Sequence, residues 1–268
     1  MTGPSGGAYR VPFVKASACG NDFLLVEERF SPVDLTEFTR RACDRHEGVG
    51  ADGVEWLSED DEADIRATLI NADGSAAEIS GNGTRCVAAL LASAHEEHTT
   101  FSVRTGAGIR ICELISRSDP AFEFDVDMRA PQVGEAEKLQ LSIGSVSGRA
   151  VSVGNPHFVV LVDRFERGWQ AMAAEIETHP RFAERTNVEL VRVVSEAEIE
   201  VRFYERGAGE TLSSGTGSVA AAVAAVAAGR ARSPVRVLAP GGAQTVLWDG
   251  AVMLRGTARL VCAGSFYY

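Results

Sequence analysis

Two short stretches constrain this chain more than anything else in it. Residues 78–86 read EISGNGTRC and residues 212–221 read LSSGTGSVAA. Ser80 and Ser214 each open a Ser-Gly-x-Gly-[Thr/Ser] turn, and 214 less 80 is 134, half of the 268 residues. A glutamate precedes each turn (Glu78, Glu210), and an Ala/Val-rich segment with helical character follows each. A repeat at half the chain length predicts two similar halves built on one plan.

The chemistry of such a turn follows from its residues. Glycine lets a backbone come close to a ligand, and a helix start presents unpaired N–H groups and a partial positive charge. Each turn is therefore a cradle for an anion. Two such cradles facing one another would hold one carboxylate between two helix N-termini. The side chains of Ser80 and Ser214 would then flank the carbon that bears the carboxylate. That arrangement suits taking a proton from one face of an amino-acid Cα and returning it on the other.

The rest of the chain alternates short strands and helices. Strands are expected over 11–16 and 23–26 around a turn at Gly20-Asn21-Asp22, and over 66–70, leading into the turn residues Asn71 to Gly74. A helix is expected over 34–43 with Asp34 as its cap, and another over 84–94. Further strands fall at 100–105, 109–114 and 122–128, and Arg129-Ala130-Pro131 reads as the crossover between domains. The second half has strands near Val151 and over 158–162, 188–194 and 199–204, a helix over 218–228, and strands to the end, with Pro240-Gly241-Gly242 as a hairpin turn. The fold class is mixed α/β (α+β). The expected division is 1–129 and 130–261, with a final strand at about 262–268 returning to the first domain.

Composition excludes several functions. Net charge is −11, which argues against nucleic acid or an anionic membrane as partner. No apolar stretch reaches the roughly 20 residues of a membrane span, and MTGPSGGAYR lacks the apolar core of a secretory signal. The five cysteines (Cys19, Cys43, Cys86, Cys112, Cys262) are odd in number and lack CxxC spacing. They point to reduced thiols in a cytoplasmic protein without a zinc site. His95-Glu96-Glu97-His98 has its histidines three apart, not four, and reads as an exposed helix end; no metal is expected. There is no Gly-Lys-[Ser/Thr] phosphate loop and no dinucleotide fingerprint, and no cofactor is expected.

Longer motifs run through the chain: Gly20-Asn21-Asp22-Phe23, CDRHEGVGADG (43–53), NADGSAAEISGNGTRC (71–86), GNPH (154–157) and ERGAGETLSSGTGS (205–218). Together they cover nearly the whole length, and the chain resembles the diaminopimelate epimerases, cofactor-independent enzymes of lysine and peptidoglycan synthesis. The resemblance implies two similar domains, each a curled sheet around a central helix, with the active site in the cleft between them, and a homodimer. It implies a small-molecule substrate, diaminopimelate, whose LL and meso forms are interconverted by two bases. It places Asn21, Asn71, Asn155, Asn187, Glu205 and Arg206 against that substrate. Arg206 presents a planar fork suited to a carboxylate, here of the distal, non-reacting end. Gly81, Asn82, Gly215 and Thr216 would offer backbone N–H groups to the reacting carboxylate and to the charge formed when the proton leaves. His157 and Glu205 join the catalytic set. Gly53 stands where some members carry a polar side chain, so no substrate contact is carried over to it.

One departure outweighs the matches. The family's two bases are cysteines, at the positions of Ser80 and Ser214. A thiol near pKa ~8.5 becomes a working thiolate at a helix N-terminus. An alcohol titrates closer to the ~15.7 of water, so forming the base costs roughly 9 kcal/mol more. Cys86 lies on the helix after its turn and does not replace the base. Three readings stay open: an epimerase whose catalytic cysteines were replaced by design, with very low activity; a natural serine variant acting on another amino acid as racemase or dehydratase; and a non-enzymatic ligand-binding protein on the same scaffold.

Overall fold

The computed structural model describes residues 9–32 and 34–268. The opening segment read above for a secretory signal lies largely outside them. The chain forms two compact units, one running to Phe122 and taking back Ala258–Tyr268, the other Glu123–Thr257.

The first unit holds β1 (Arg10–Ala18), β2 (Asn21–Glu27), α1 (Leu35–Cys43), β3 (Gly53–Ser58), β4 (Ile65–Asn71), β5 (Ala76–Ala77), α2 (Gly81–Ala94), β6 (Thr100–Thr105) and β7 (Gly108–Ser118). Strand β8 (Ala121–Asp127) carries the chain into the second unit. There follow β9 (Gln132–Leu141), β10 (Gly144–Ser152), β11 (Pro156–Leu161), α3 (Trp169–Glu177), β12 (Asn187–Ser195), β13 (Glu198–Glu205), β14 (Gly209–Thr211), α4 (Gly215–Ala227), β15 (Val235–Ala239) and β16 (Gly242–Asp249). The last strand, β17 (Ala251–Tyr267), begins in the second unit beside β16 and ends in the first beside β1.

Each unit repeats one pairing scheme. In the first, β2 pairs parallel with β3, β3 antiparallel with β4, and β4 parallel with β6. In the second, β11, β12, β13 and β15 pair in the same senses. The registers match residue for residue. Phe23 faces Gly53 as His157 faces Asn187, Ile65 faces Val103 as Ile199 faces Val237, and Thr105 faces Gly108 as Ala239 faces Gly242. Every one of these second-unit positions is its first-unit counterpart moved on by 134, the offset of the two serines.

Local sequence explains the elements. Asp34 caps α1, accepting from the Glu37 N–H at 3.0 Å, and Phe38, Thr39, Ala42 and Cys43 form its buried stripe. Phe38 meets the buried Trp56 edge-on, and the Trp56 indole donates to Thr39 Oγ1 at 3.3 Å. Helix α4 is apolar all round and is buried from Val219 to Ala225, packed on β10, β11, β12 and β16, because only small side chains let strands approach on several sides. Gly148 marks another close approach: a Cβ there would lie 2.3 Å from the Phe158 ring and 2.8 Å from the Val159 carbonyl. Gly148→Ala is expected to cost roughly 1–3 kcal/mol through overpacking, read as a lower urea midpoint with the slope unchanged.

The structure also corrects the expectations. The first turn is Cys19-Gly20, both at positive φ, and Asn21 already belongs to β2, paired with Ala18. Helices α2 and α4 begin at Gly81 and Gly215, three residues before the expected Thr84 and Ser218, because the glycine turns are themselves the first helical turns. Strands β3 and β9 and helix α3 lie where no element was expected. The His95–His98 segment follows the end of α2 and is exposed, and the hairpin at Pro240-Gly241 joins β15 to β16. No helix among the described residues is long and apolar enough to cross a membrane.

Candidate active site

In the first unit, Ser80 stands at the N-cap of α2 in an extended conformation, and its Oγ accepts from the Gly83 N–H at 3.1 Å. Asn82 is buried and donates through Nδ2 to Asn21 Oδ1 at 2.6 Å, while Asn21 donates to Asp52 Oδ2 at 3.0 Å. The Arg85 guanidinium, fully buried, donates to Asn82 Oδ1 and lies 3.8 Å from Cys19 Sγ. So Asn21 and Asn82 come together beside the Ser80 turn. Asn71, at the end of β4, donates instead to Ser75 Oγ at 3.0 Å and closes the turn there. Gly53 has no room for a side chain, since a Cβ would lie 2.7 Å from the Ile70 carbonyl.

Behind the Ser80 turn lies a residue that the sequence reading missed. Glu55, on β3, is 3 % exposed, and its Oε1 stands 2.0 Å from where a Cβ on Gly83 would be. Only glycine at 83 leaves space for this carboxyl against the helix start. Burial alone raises the Glu55 carboxyl to about 8. Its folded-state value lies above the unfolded one, so its contribution to stability is full below pH 4.5 and is lost as pH rises to about 8. Glu55→Gln is therefore expected to remove a loss that reaches on the order of 4–5 kcal/mol by the alkaline end. In thermal melts from pH 5 to 9, the variant should gain on the parent as pH rises, with the difference levelling off above pH 8.

The second unit repeats the turn with a richer polar setting. Ser214, buried, caps α4, and its Oγ accepts from the Gly217 N–H at 3.2 Å. The Ser214 hydroxyl donates to Glu205 Oε2 at 3.4 Å, and Thr211 Oγ1 donates to Glu205 Oε1 at 2.6 Å. Burial pushes the Glu205 carboxyl above its usual range; the Thr211 bond opposes this, and the nearby Glu189 adds to it. His157, 1 % exposed, joins Glu189 Oε1 through Nδ1 at 2.7 Å and Asn155 Oδ1 through Nε2 at 2.9 Å. Asn155 in turn donates to Thr216 Oγ1 at 3.3 Å, in the first turn of α4. Because Asn155 Oδ1 can only accept, Nε2 carries a hydrogen. Burial raises Glu189, while the His157 charge and hydrogen bond hold it down.

Asn155, His157, Glu205, Ser214, Gly215 and Thr216 are thus one connected group. Asn187 and Arg206 form another. Asn187 donates to the Pro156 carbonyl at 2.9 Å and accepts from the Arg206 N–H at 3.0 Å, so its amide clips two strand ends together. The Arg206 guanidinium, exposed, donates to the Glu184 carbonyl at 3.0 Å. None of the five cysteines is in a disulfide. Burial raises the Cys86 thiol beyond any working thiolate and pushes Cys112 up to about 12.

The profile of the family described as diaminopimelate epimerase matches residues 13–132 and 149–261. The chain belongs to the diaminopimelate epimerase family. Relatives named diaminopimelate epimerase include one from Pelotomaculum thermopropionicum, 38% identical over 96% of this chain and 99% of its own length. One from Desulforudis audaxviator is 38% identical over 95% of this chain and 98% of its own. Among solved structures, a hydroxyproline epimerase from Agrobacterium vitis superposes with a TM-score of 0.71 at 16% identity, covering 97% of this chain and 93% of that one. A PhzF-family phenazine biosynthesis protein from Bacillus anthracis gives 0.71 at 15% identity, covering 96% and 98%. At that identity the likeness carries the fold alone. With the relatives it matches over nearly their whole length named epimerases, this chain is an epimerase in type.

The 134-residue offset extends through the site. Asn21 corresponds to Asn155, Phe23 to His157, Glu55 to Glu189, Asn71 to Glu205, Ser80 to Ser214 and Gly83 to Gly217. Applied to the whole sequence, the offset would have exposed Glu55 and Glu189, each a Val-Glu step inside a strand of buried residues.

Proposed function

We propose that this chain acts on diaminopimelate, interconverting its LL and meso forms by moving the Cα proton between a group at position 80 and a group at position 214. The observation that carries the reading is the pair of Ser-capped glycine helix starts, repeated at one offset inside a family match spanning both units. The reacting carboxylate lies at the helix starts of Gly81-Asn82 and Gly215-Thr216, whose N–H groups stabilise the charge built on proton loss. Arg206, whose backbone N–H is held by Asn187, takes the distal amino-acid end. No cofactor takes part in this scheme. The serines make proton removal slow, and the chain works far below the rate of a cysteine pair. The reading further takes the protein to be cytoplasmic and homodimeric.

The test is deuterium incorporation at Cα of LL- and meso-diaminopimelate in D₂O, for the chain and for Ser80→Cys/Ser214→Cys. Exchange and epimerisation that rise sharply in the cysteine version support the reading. A cysteine version that leaves both epimers untouched, yet exchanges another amino acid or none, would sink it.

A further inference from the structure

Among the described residues, each serine turn has beside it a carboxyl with no hydrogen bond to a histidine, and the two carboxyls come from different strands. At Ser214 that group is Glu205, at 3.4 Å from the hydroxyl, because Glu189 is committed to His157. At Ser80 the counterpart of Glu205 is Asn71, which is bonded to Ser75 and carries no charge. The counterpart of Glu189 is Glu55, and where the second unit has His157 the first has Phe23. Glu55 therefore stands at the Ser80 turn without an imidazole beside it. Its Oε1 lies 2.0 Å from a Cβ built on Gly83, and that same Cβ point is 3.2 Å from Ser80 Cβ.

We infer that Glu55 is the proton-relay partner of Ser80, a positioning residue through which a serine turn exchanges a Cα proton without a thiolate. The inference rests on the diaminopimelate reading above. In the forward step the Cα–H bond breaks and its electron pair stays on the substrate, beside the carboxylate held by the helix start. The Cα proton bonds to Ser80 Oγ as the Ser80 hydroxyl proton passes to an ionised Glu55 carboxylate. On the opposite face, the Ser214 hydroxyl gives its proton to Cα and takes one from a protonated Glu205. The cycle leaves Glu55 with one proton more and Glu205 with one fewer; exchange with water resets both. A carboxyl raised by burial is a stronger base than an ordinary one, which suits it to this work.

The test compares Cα–H exchange from each epimer separately in D₂O, because the two epimers present opposite faces. Glu55→Gln in the serine chain should slow exchange from one epimer tenfold or more and the other less than threefold. Glu205→Gln should show the reverse preference, and Glu55→Asp should recover part of the loss. Replacing Ser80 by Cys should shrink the Glu55→Gln effect at the same face, since a thiolate needs no relay. A purely structural role would depress both epimers alike, and that result overturns the inference. So does a serine chain that exchanges nothing while its Ser80→Cys/Ser214→Cys version is active, an outcome that leaves the function reading intact. Cys19, whose thiol neighbours Arg85, is the rival base; a collapse on Cys19→Ser with none on Glu55→Gln also overturns it. If both the serine and cysteine versions are inert toward diaminopimelate, the function reading itself has failed.

Discussion

Ser80→Cys/Ser214→Cys is expected to raise epimerisation of diaminopimelate by at least about a thousandfold. The full cost of drawing a proton onto an alcohol in place of a thiol is roughly 9 kcal/mol, or a factor of about 10⁶. A serine relayed to a buried carboxyl recovers part of that cost, so the observed gain measures how well the relays work. The structure favours the substitution electrostatically. Both serines are N-caps whose Oγ accepts from the third N–H of the helix, at 3.1 Å for Ser80 and 3.2 Å for Ser214. Sulfur at the same place meets the same N–H and the same partial positive charge, which is the setting that lowers a thiol's pKa. The two single variants sharpen the test. Each should exchange the Cα proton of one epimer quickly while epimerising slowly, because reprotonation on the far face still depends on a serine. Capping chemistry predicts a small stability loss in the cysteine forms of about 1 kcal/mol or less per site, since a thiol caps a helix less well than a hydroxyl. Parallel rates of exchange and epimerisation in a single variant would show that one turn serves both faces.

The plan of this molecule was written in the spacing of its turns, and the details that escaped notice were ones that spacing carries only when it is applied everywhere. Asp34 announced its helix because an N-cap acts within one turn of the chain. The Ser80 and Ser214 turns announced theirs, though the helices start at the glycines, which are poor helix formers placed where a ligand or a carboxyl needs room. Strand β3 was invisible because Gly53 to Ser58 mixes a glycine, a tryptophan and a glutamate, and its burial on both faces erases alternation. Helix α3 was equally hidden: its N-cap is Gly168, with no side chain to signal a start. Asn187 and Asn71 show the limit for site residues. Their motifs mark them, yet their amides are spent on the Pro156 carbonyl and the Ser75 hydroxyl, partners that only the folded backbone supplies. Glu55 is the opposite case, a charged residue in an apolar strand whose meaning depends on a glycine 28 residues later (83 less 55).

His157→Phe is expected to be the most damaging single substitution for stability, at roughly 3–5 kcal/mol, even though phenylalanine is what the first unit carries at the corresponding position, Phe23. His157 and Glu189 are both fully buried, and the histidine supplies the hydrogen bond and the charge that oppose burial of the carboxyl. Without it, Glu189 keeps Oε2, already buried without a hydrogen bond, and loses the partner of Oε1 as well. Asn155 loses its bond to Nε2, and with it the hold on Thr216 at the start of α4. Neutralising Glu189 by protonation limits the damage, so the loss should be smaller at pH 5 than at pH 8. The sign follows from the upward shift: a carboxyl raised by burial stabilises the fold on the acid side and withdraws that stability as pH rises. Removing both partners separates the causes. His157→Phe/Glu189→Leu leaves no buried charge and should regain most of the lost stability in urea titrations, because well-packed apolar groups replace a buried pair at little net cost. It should not regain Cα exchange at the Ser214 face, where Asn155 and Thr216 remain unanchored. A double variant as unstable as His157→Phe alone would mean that the histidine's size and shape, not its pairing with Glu189, hold this part of the second unit together.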